Sequence, residues 1–119
     1  MTGQLTTHVL DTAKGEPGAG ITVELFQISL SQNAKLIKTL TTNVDGRTDQ
    51  PLLESNEMEK GTYELRFAMG DYFTKQSDTL PDPLFLNIIP IRFSIADTDK
   101  HYHIPLLCSP WSYSTYRGS

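Results

Sequence analysis

At 119 residues, with a formal net charge of −4 and a pI near 5.2, the chain has the length of one domain, residues 1–119, and no basic run suited to nucleic acid or an anionic membrane. Its single cysteine, Cys108, excludes an intrachain disulfide, and a core of this size needs neither disulfide nor structural metal. Residues 1–8 lack the basic and apolar stretches of a secretory signal, and no segment approaches the roughly 20 apolar residues of a membrane span, so the expected compartment is the cytoplasm.

Turn residues recur at short intervals, and strand formers fill the gaps between them. In the first segment Leu5, Thr7 and Val9 share one strand face, while Thr6, His8 and Leu10 share the other. Gly15-Glu16-Pro17-Gly18-Ala19-Gly20 is a turn cluster. It has no Lys-Ser/Thr and opens no helix, so it is a plain turn rather than a phosphate cradle. Residues 21–26 and 35–42 alternate with period two. The second run closes on Asn43-Val44-Asp45-Gly46, where Asp-Gly is a strong turn signal. The acidic stretch 54–60 is a solvated loop, and residues 61–67 place Tyr63, Leu65 and Phe67 on one face. Asp71 predicts the N-cap of a short helix over residues 72–77, with Tyr72, Phe73 and Gln76 near one side. Residues 88–96 form a strand whose Pro90 puts its start at a sheet edge. Residues 101–107 and 111–117 complete the set. About eight short strands separated by turns predict an all-β fold, a β-sandwich carrying one short helix.

Three histidines carry the only side chains whose ordinary pKa lies near neutrality. His101 and His103 project from one side of their strand, and Tyr102, Ile104 and Leu106 point the other way into a core. The pair therefore sits on the outer face of a sheet. His-x-His is also the spacing of two zinc ligands on a strand, with His8 as a third, but no Cys, Asp or Glu adjoins the pair to complete the shell. No metal or other cofactor is expected. Arg47 directly follows the Asp-Gly turn. It reads either as a solvated rim charge or as a planar cation that clamps an anionic or carbonyl-rich ligand. Cys108 follows Leu106-Leu107 and reads as a small buried hydrophobe with no basic neighbour to activate it.

The tail is the odd feature. Terminal Arg-Gly-Ser without an apolar anchor ordinarily frays, yet Trp111-Ser112-Tyr113-Ser114-Thr115-Tyr116 leads into it with residues suited to a strand. A strand reaching that far makes Tyr116, Arg117, Ser119 and the terminal carboxylate a compact group of donors and acceptors. Chemistry alone leaves a functional tail and a merely ordered terminus both open.

Four segments resemble the signatures of the 5-hydroxyisourate hydrolases, members of the transthyretin-related family: residues 5–11, Asp45-Gly46-Arg47, residues 101–107 and residues 112–119. The terminal Tyr116-Arg117-Gly118-Ser119 is the most specific of them. Transthyretin, a hormone carrier on the same fold, lacks this tail and the histidine set. The resemblance implies a prealbumin-like sandwich of eight strands, assembled as a homotetramer with active sites in grooves along the dimer–dimer interface. It implies His8, Arg47, His103 and Ser119 as the catalytic set, with His8, Arg47, Tyr116, Arg117 and Gly118 binding the substrate. His101 matches its motif as well. The implied substrate is a small oxidised purine, 5-hydroxyisourate, whose ring amide is opened by an activated water. The alternative is a non-catalytic small-molecule carrier of the transthyretin type.

Overall fold

The computed structural model describes residues 2–118. In chain order the elements are β1 (Gln4–Asp11), β2 (Glu16–Pro17), β3 (Thr22–Ile28), β4 (Ala34–Thr41), β5 (Gly61–Ala68), α1 (Met69–Gln76), β6 (Ile88–Ile95), β7 (His101–Cys108) and β8 (Tyr113–Thr115). They form two four-stranded sheets, in the orders β2-β1-β7-β8 and β4-β3-β5-β6. Period-two alternation is what lets each sheet bury one face: in β1 every second residue is buried, beginning with Leu5, and the residues between are half-exposed. The core fills the space between the sheets. Leu5, Val9 and Leu106 come from one side, and Val23, Leu25, Tyr63, Leu65 and Phe67 come from the other. Each such fully buried side chain contributes roughly 1.5–3 kcal/mol.

One pairing positions the site. The β1–β7 pair is parallel, with Gln4 opposite His101, Thr6 opposite His103 and His8 opposite Pro105, whereas the other strand pairs are antiparallel. Parallel neighbours need a long crossover, and here the crossover is the whole second sheet. The first strand and the second-to-last strand thus lie side by side.

The expected sandwich with one short helix is the fold observed, and β6, which carries Pro90, lies at the edge of its sheet. Three readings differ. Within the segment 15–20, read as a plain turn, Glu16 and Pro17 pair with Asp11 and Leu10 as β2. The helix begins at Met69, with Ala68 rather than Asp71 at its N-cap, and no side chain caps it. Burial of Met69, Gly70, Tyr72 and Phe73 holds this helix, and the Tyr72 hydroxyl donates to buried Asp11 Oδ2 at 2.7 Å. Asp71 instead sits in the first turn, where a carboxylate favours the positive end of the helix dipole. The last strand covers only Tyr113–Thr115 rather than residues 111–117, for a reason that lies in Pro105. Among the described residues no helix is long and apolar enough to cross a membrane.

Candidate active site

The outer face of β1 and β7 gathers the polar residues that alternation keeps out of the core. Parallel register sets Thr6 beside His103. The Thr6 Oγ1 lies 2.8 Å from His101 Nε2 and 2.8 Å from His103 Nδ1. The two imidazole centroids are 6.3 Å apart, with an interplanar angle of 61°, so a single hydroxyl bridges both rings.

Arg47 reaches this face through a tight turn tied to β1. The Gly46 N–H donates to the Asn43 carbonyl at 3.0 Å, and the Asn43 N–H donates to the Arg47 carbonyl at 2.6 Å. The Asn43 Oδ1 accepts from the N–H groups of Asp45 and Arg47. Val9 N–H donates to the Gly46 carbonyl at 2.8 Å and bolts the turn to the strand. Gly46 has φ of +76°, and a Cβ there would stand 2.3 Å from the Val9 carbonyl oxygen. Only glycine meets both demands. The Arg47 side chain is exposed and makes no ion pair with any described residue. His8 is held by the same turn. Its Nε2 lies 2.9 Å from the Asp45 carbonyl oxygen. A carbonyl only accepts, so His8 donates from Nε2 and leaves Nδ1 as its free nitrogen in the neutral ring.

The tail joins the site because Pro105 interrupts a ladder. Strands β7 and β8 pair Leu107 with Ser114, and the same register pairs His103 with Gly118. Pro105 therefore faces Tyr116. Proline has no N–H to give the Tyr116 carbonyl. Its own carbonyl takes the Thr115 hydroxyl instead, at 2.6 Å. Tyr116 and Arg117 leave the ladder and stand exposed, and pairing resumes where Gly118 N–H donates to the His103 carbonyl at 2.7 Å. Gly118 then packs under the imidazole. A Cβ on it would lie 3.0 Å from His103 Cδ2 and 3.2 Å from His103 Cβ. The Arg117 guanidinium lies over the Tyr102 ring, 4.3 Å from its centroid.

Two adjoining hollows result. One, of about 460 Å³, is bordered by Gln4, Thr6, Arg47, Gln50, His101 and His103. The other, of about 740 Å³, is bordered by Lys100, His101, His103, Tyr116, Arg117 and Gly118. Both volumes lie in the range of small-molecule sites. His101 and His103 are common to the two. Burial lowers the His103 pKa below its ordinary 6.5, and the positive charges of Arg47, His101 and His8 lower it further. The ring is thereby kept neutral near pH 7, with a lone pair available to take a proton.

Of the residues singled out from sequence, Arg47, His103, Tyr116, Arg117 and Gly118 come together around these hollows. His8 borders neither, although its charge acts on His103. Ser119 lies outside the described residues. Cys108 is fully buried, and burial together with the Asp11 charge pushes its thiol up to about 11. Among the described residues no three His, Cys, Asp or Glu side chains are grouped as a metal ion requires. Thr6 and Gln4 were not singled out. The signal for Thr6 was its place on the His8 face of β1, which becomes informative only once β7 is known to lie alongside.

Residues 5–118 match the model of the HIUase/Transthyretin family. A 5-hydroxyisourate hydrolase of Ralstonia nicotianae is 55% identical over 117 residues, which cover 98% of this chain and 99% of that protein. A crystal structure of (S)-allantoin synthase superposes with a TM-score of 0.90 at 44% identity. The match covers 98% of this chain, which spans only 44% of that longer one. Sea bream transthyretin in complex with thyroxine superposes with a TM-score of 0.85 at 26% identity, covering 97% of this chain and 94% of that one. Shape alone therefore matches an enzyme and a hormone-binding protein almost equally, and sequence separates them. The chain belongs to the HIUase/Transthyretin family.

Proposed function

We propose that this chain hydrolyses 5-hydroxyisourate, the unstable product of urate oxidation, to 2-oxo-4-hydroxy-4-carboxy-5-ureidoimidazoline. The observation that carries the reading is that His103, Arg47 and residues 116–118, from three distant segments, converge on two adjoining hollows. A carrier site is mostly apolar. Charged and hydrogen-bonding groups border these hollows, which favours turnover over carriage.

The reaction adds water to a ring carbonyl and breaks the ring C–N amide bond. It needs a base for the water, stabilisation of the oxyanion and a proton for the departing nitrogen. Neutral His103 takes the proton from water at Nε2. The Arg47 guanidinium, which has no ion-pair partner among the described residues, holds the carbonyl oxygen as it gains negative charge, through charge-assisted hydrogen bonds. His8 orients the water or the ring through Nδ1, since its Nε2 is committed to the Asp45 carbonyl. Tyr116, Arg117 and Gly118 place the purine-derived ring, and the Ser119 hydroxyl completes the catalytic set. No cofactor enters this scheme.

In the same reading the protein is a cytoplasmic homotetramer. Leu10 and Leu107 are half-buried paired neighbours on the site face, an apolar margin that a second dimer would cover while walling the groove. Decay of freshly generated 5-hydroxyisourate, followed in the ultraviolet against its spontaneous hydrolysis with and without chelator, tests the activity. Accelerated decay indifferent to chelator is expected, and His103→Ala lowers turnover by ~10²-fold or more with the tetramer intact. Tight binding of a hydrophobic ligand without acceleration would establish the carrier instead, and activity lost on chelation would establish a metal-dependent hydrolase.

A further inference from the structure

The Thr6 hydroxyl has one proton and two ring nitrogens to satisfy. Its only partners among the described residues are His101 Nε2 and His103 Nδ1, each at 2.8 Å. A hydroxyl donates once and accepts up to twice. At most one ring therefore accepts from Thr6, and the other must present an N–H. The neighbouring Thr7 shows the ordinary alternative: its hydroxyl donates to the Ile104 carbonyl at 2.6 Å inside the core, a bond with one possible direction. The bonds of Thr6 can run either way.

Each direction gives His103 a different chemistry at the same atom. When His101 Nε2 accepts from Thr6, His103 donates from Nδ1, and the neutral ring has a bare lone pair at Nε2. When His101 donates from Nε2, His103 accepts at Nδ1 and carries its proton at Nε2. The first form is a base and the second an acid. His103 Nε2 has no hydrogen-bond partner among the described residues, and the ring borders both hollows.

We propose that Thr6 is a positioning residue that relays a proton between His103 and His101, converting His103 from base to acid within one turnover. The inference rests on the hydrolase reading. As the water oxygen bonds to the ring carbonyl carbon, one water proton passes to His103 Nε2. The His103 Nδ1 proton moves to Thr6 Oγ1 while the Thr6 proton moves to His101 Nε2, so the hydroxyl ends unchanged and His101 holds the positive charge. His103 is then neutral with a proton at Nε2. When the C–N bond breaks, that proton goes to the departing nitrogen. The relay runs backwards and returns both rings to their starting state. Burial and the nearby Arg47 charge disfavour a lasting imidazolium at His103, which gives the charge a reason to move on to His101. In this scheme His101 acts through Thr6 and needs no contact with the substrate.

The test compares full-length wild type, Thr6→Val and Thr6→Ser, measuring kcat and KM for 5-hydroxyisourate and the ¹⁵N shifts of the histidine rings. Valine keeps the shape and the strand preference of threonine and removes only the hydroxyl. Thr6→Val is expected to lower kcat by about 10- to 100-fold with KM within about 2-fold, and Thr6→Ser to recover kcat to within about 3-fold of wild type. The ¹⁵N shifts should show His103 as the Nδ1–H tautomer in wild type and move it toward the Nε2–H form in Thr6→Val. Unchanged kcat in Thr6→Val overturns the relay. So does a serine variant no better than the valine one, or a His103 tautomer indifferent to the substitution. If wild type itself does not accelerate the decay, the hydrolase reading fails, and the proton coupling through Thr6 then stands or falls on the ¹⁵N shifts alone.

Discussion

The two sheets turn two chemically different outer faces to solvent. On the face of β3, β5 and β6 the charges of Glu64, Arg66 and Arg92 answer one another. Glu64 accepts from Arg66 Nε at 2.7 Å and from Arg92 Nε at 3.0 Å. Arg92 also donates to Gln32 at 2.7 Å, and Arg66 lies 4.0 Å over the Phe26 ring. On the face of β1 and β7 the valences stay open. Arg47 has no ion-pair partner among the described residues, and two imidazoles share one hydroxyl. The same alternation built both faces. One uses its polar groups to satisfy each other, which stabilises the sheet; the other leaves donors and acceptors for something that arrives from solution.

The largest expected break in this contrast comes from the tail. Deleting residues 116–119 removes one border of the larger hollow and none of the core, so decay of 5-hydroxyisourate should fall to its spontaneous rate while the far-ultraviolet circular dichroism stays that of a sandwich. Full activity in the truncated chain would reduce the tail to an ordered terminus. A smaller change acts on the same border. Gly118→Ala places a methyl group 3.0 Å from His103 Cδ2, and because the backbone bridge pins both residues, the imidazole is the group that must shift. Turnover should drop by about 10-fold through misplacement of the base, with little change in melting temperature. On the opposite face the expectation reverses. Glu64→Gln leaves two arginines without their carboxylate and should lower stability by about 1–3 kcal/mol in denaturant unfolding, with turnover unchanged. Lost activity there would mean that the two faces are coupled.

The sandwich was legible because its signal is local: alternating runs such as residues 61–67, closed by Gly and Asp-Gly turns, state both the strand and its buried side. The outward placement of His101 and His103 followed from the same parity. What stayed hidden depends on neighbours distant in sequence. The early end of β8 follows from Pro105 standing opposite Tyr116, and no window of the chain contains that register. The helix begins at Met69 because the core buries that side chain completely, which outweighs the capping preference of Asp71. Thr6 looked like one more strand threonine. Only the parallel pairing with β7 puts its hydroxyl between two imidazoles. The family resemblance brought the distant motifs together, but it did not say that His8 spends Nε2 on the Asp45 carbonyl.

Acid titration gives the finest separation of the two faces. Burial alone would raise the Glu64 pKa, but the hydrogen bonds and charges of Arg66 and Arg92 outweigh it and hold the carboxyl below its ordinary 4.5. A carboxylate depressed in the folded state contributes stability above its unfolded pKa and loses it as pH falls through the folded value. That window opens only below about pH 4.5. His103 is also lowered, from 6.5, and for a histidine this means the unfolded chain binds the proton more readily. The ring contributes nothing above both values, and folding is progressively disfavoured once pH drops below about 6.5, well before Glu64 responds. Turnover should fall as pH drops through the lowered pKa of the folded His103 ring, and it should ignore Glu64 until the fold itself gives way. Arg47→Gln sharpens the point. Burial is the larger cause of the His103 shift and the Arg47 charge the next, so in this variant the His103 titration, read by nuclear magnetic resonance, should move upward yet stay below 6.5. A full return to 6.5 would assign the shift to charge. No movement would place Arg47 too far from His103 to hold the oxyanion of a substrate that the same imidazole activates.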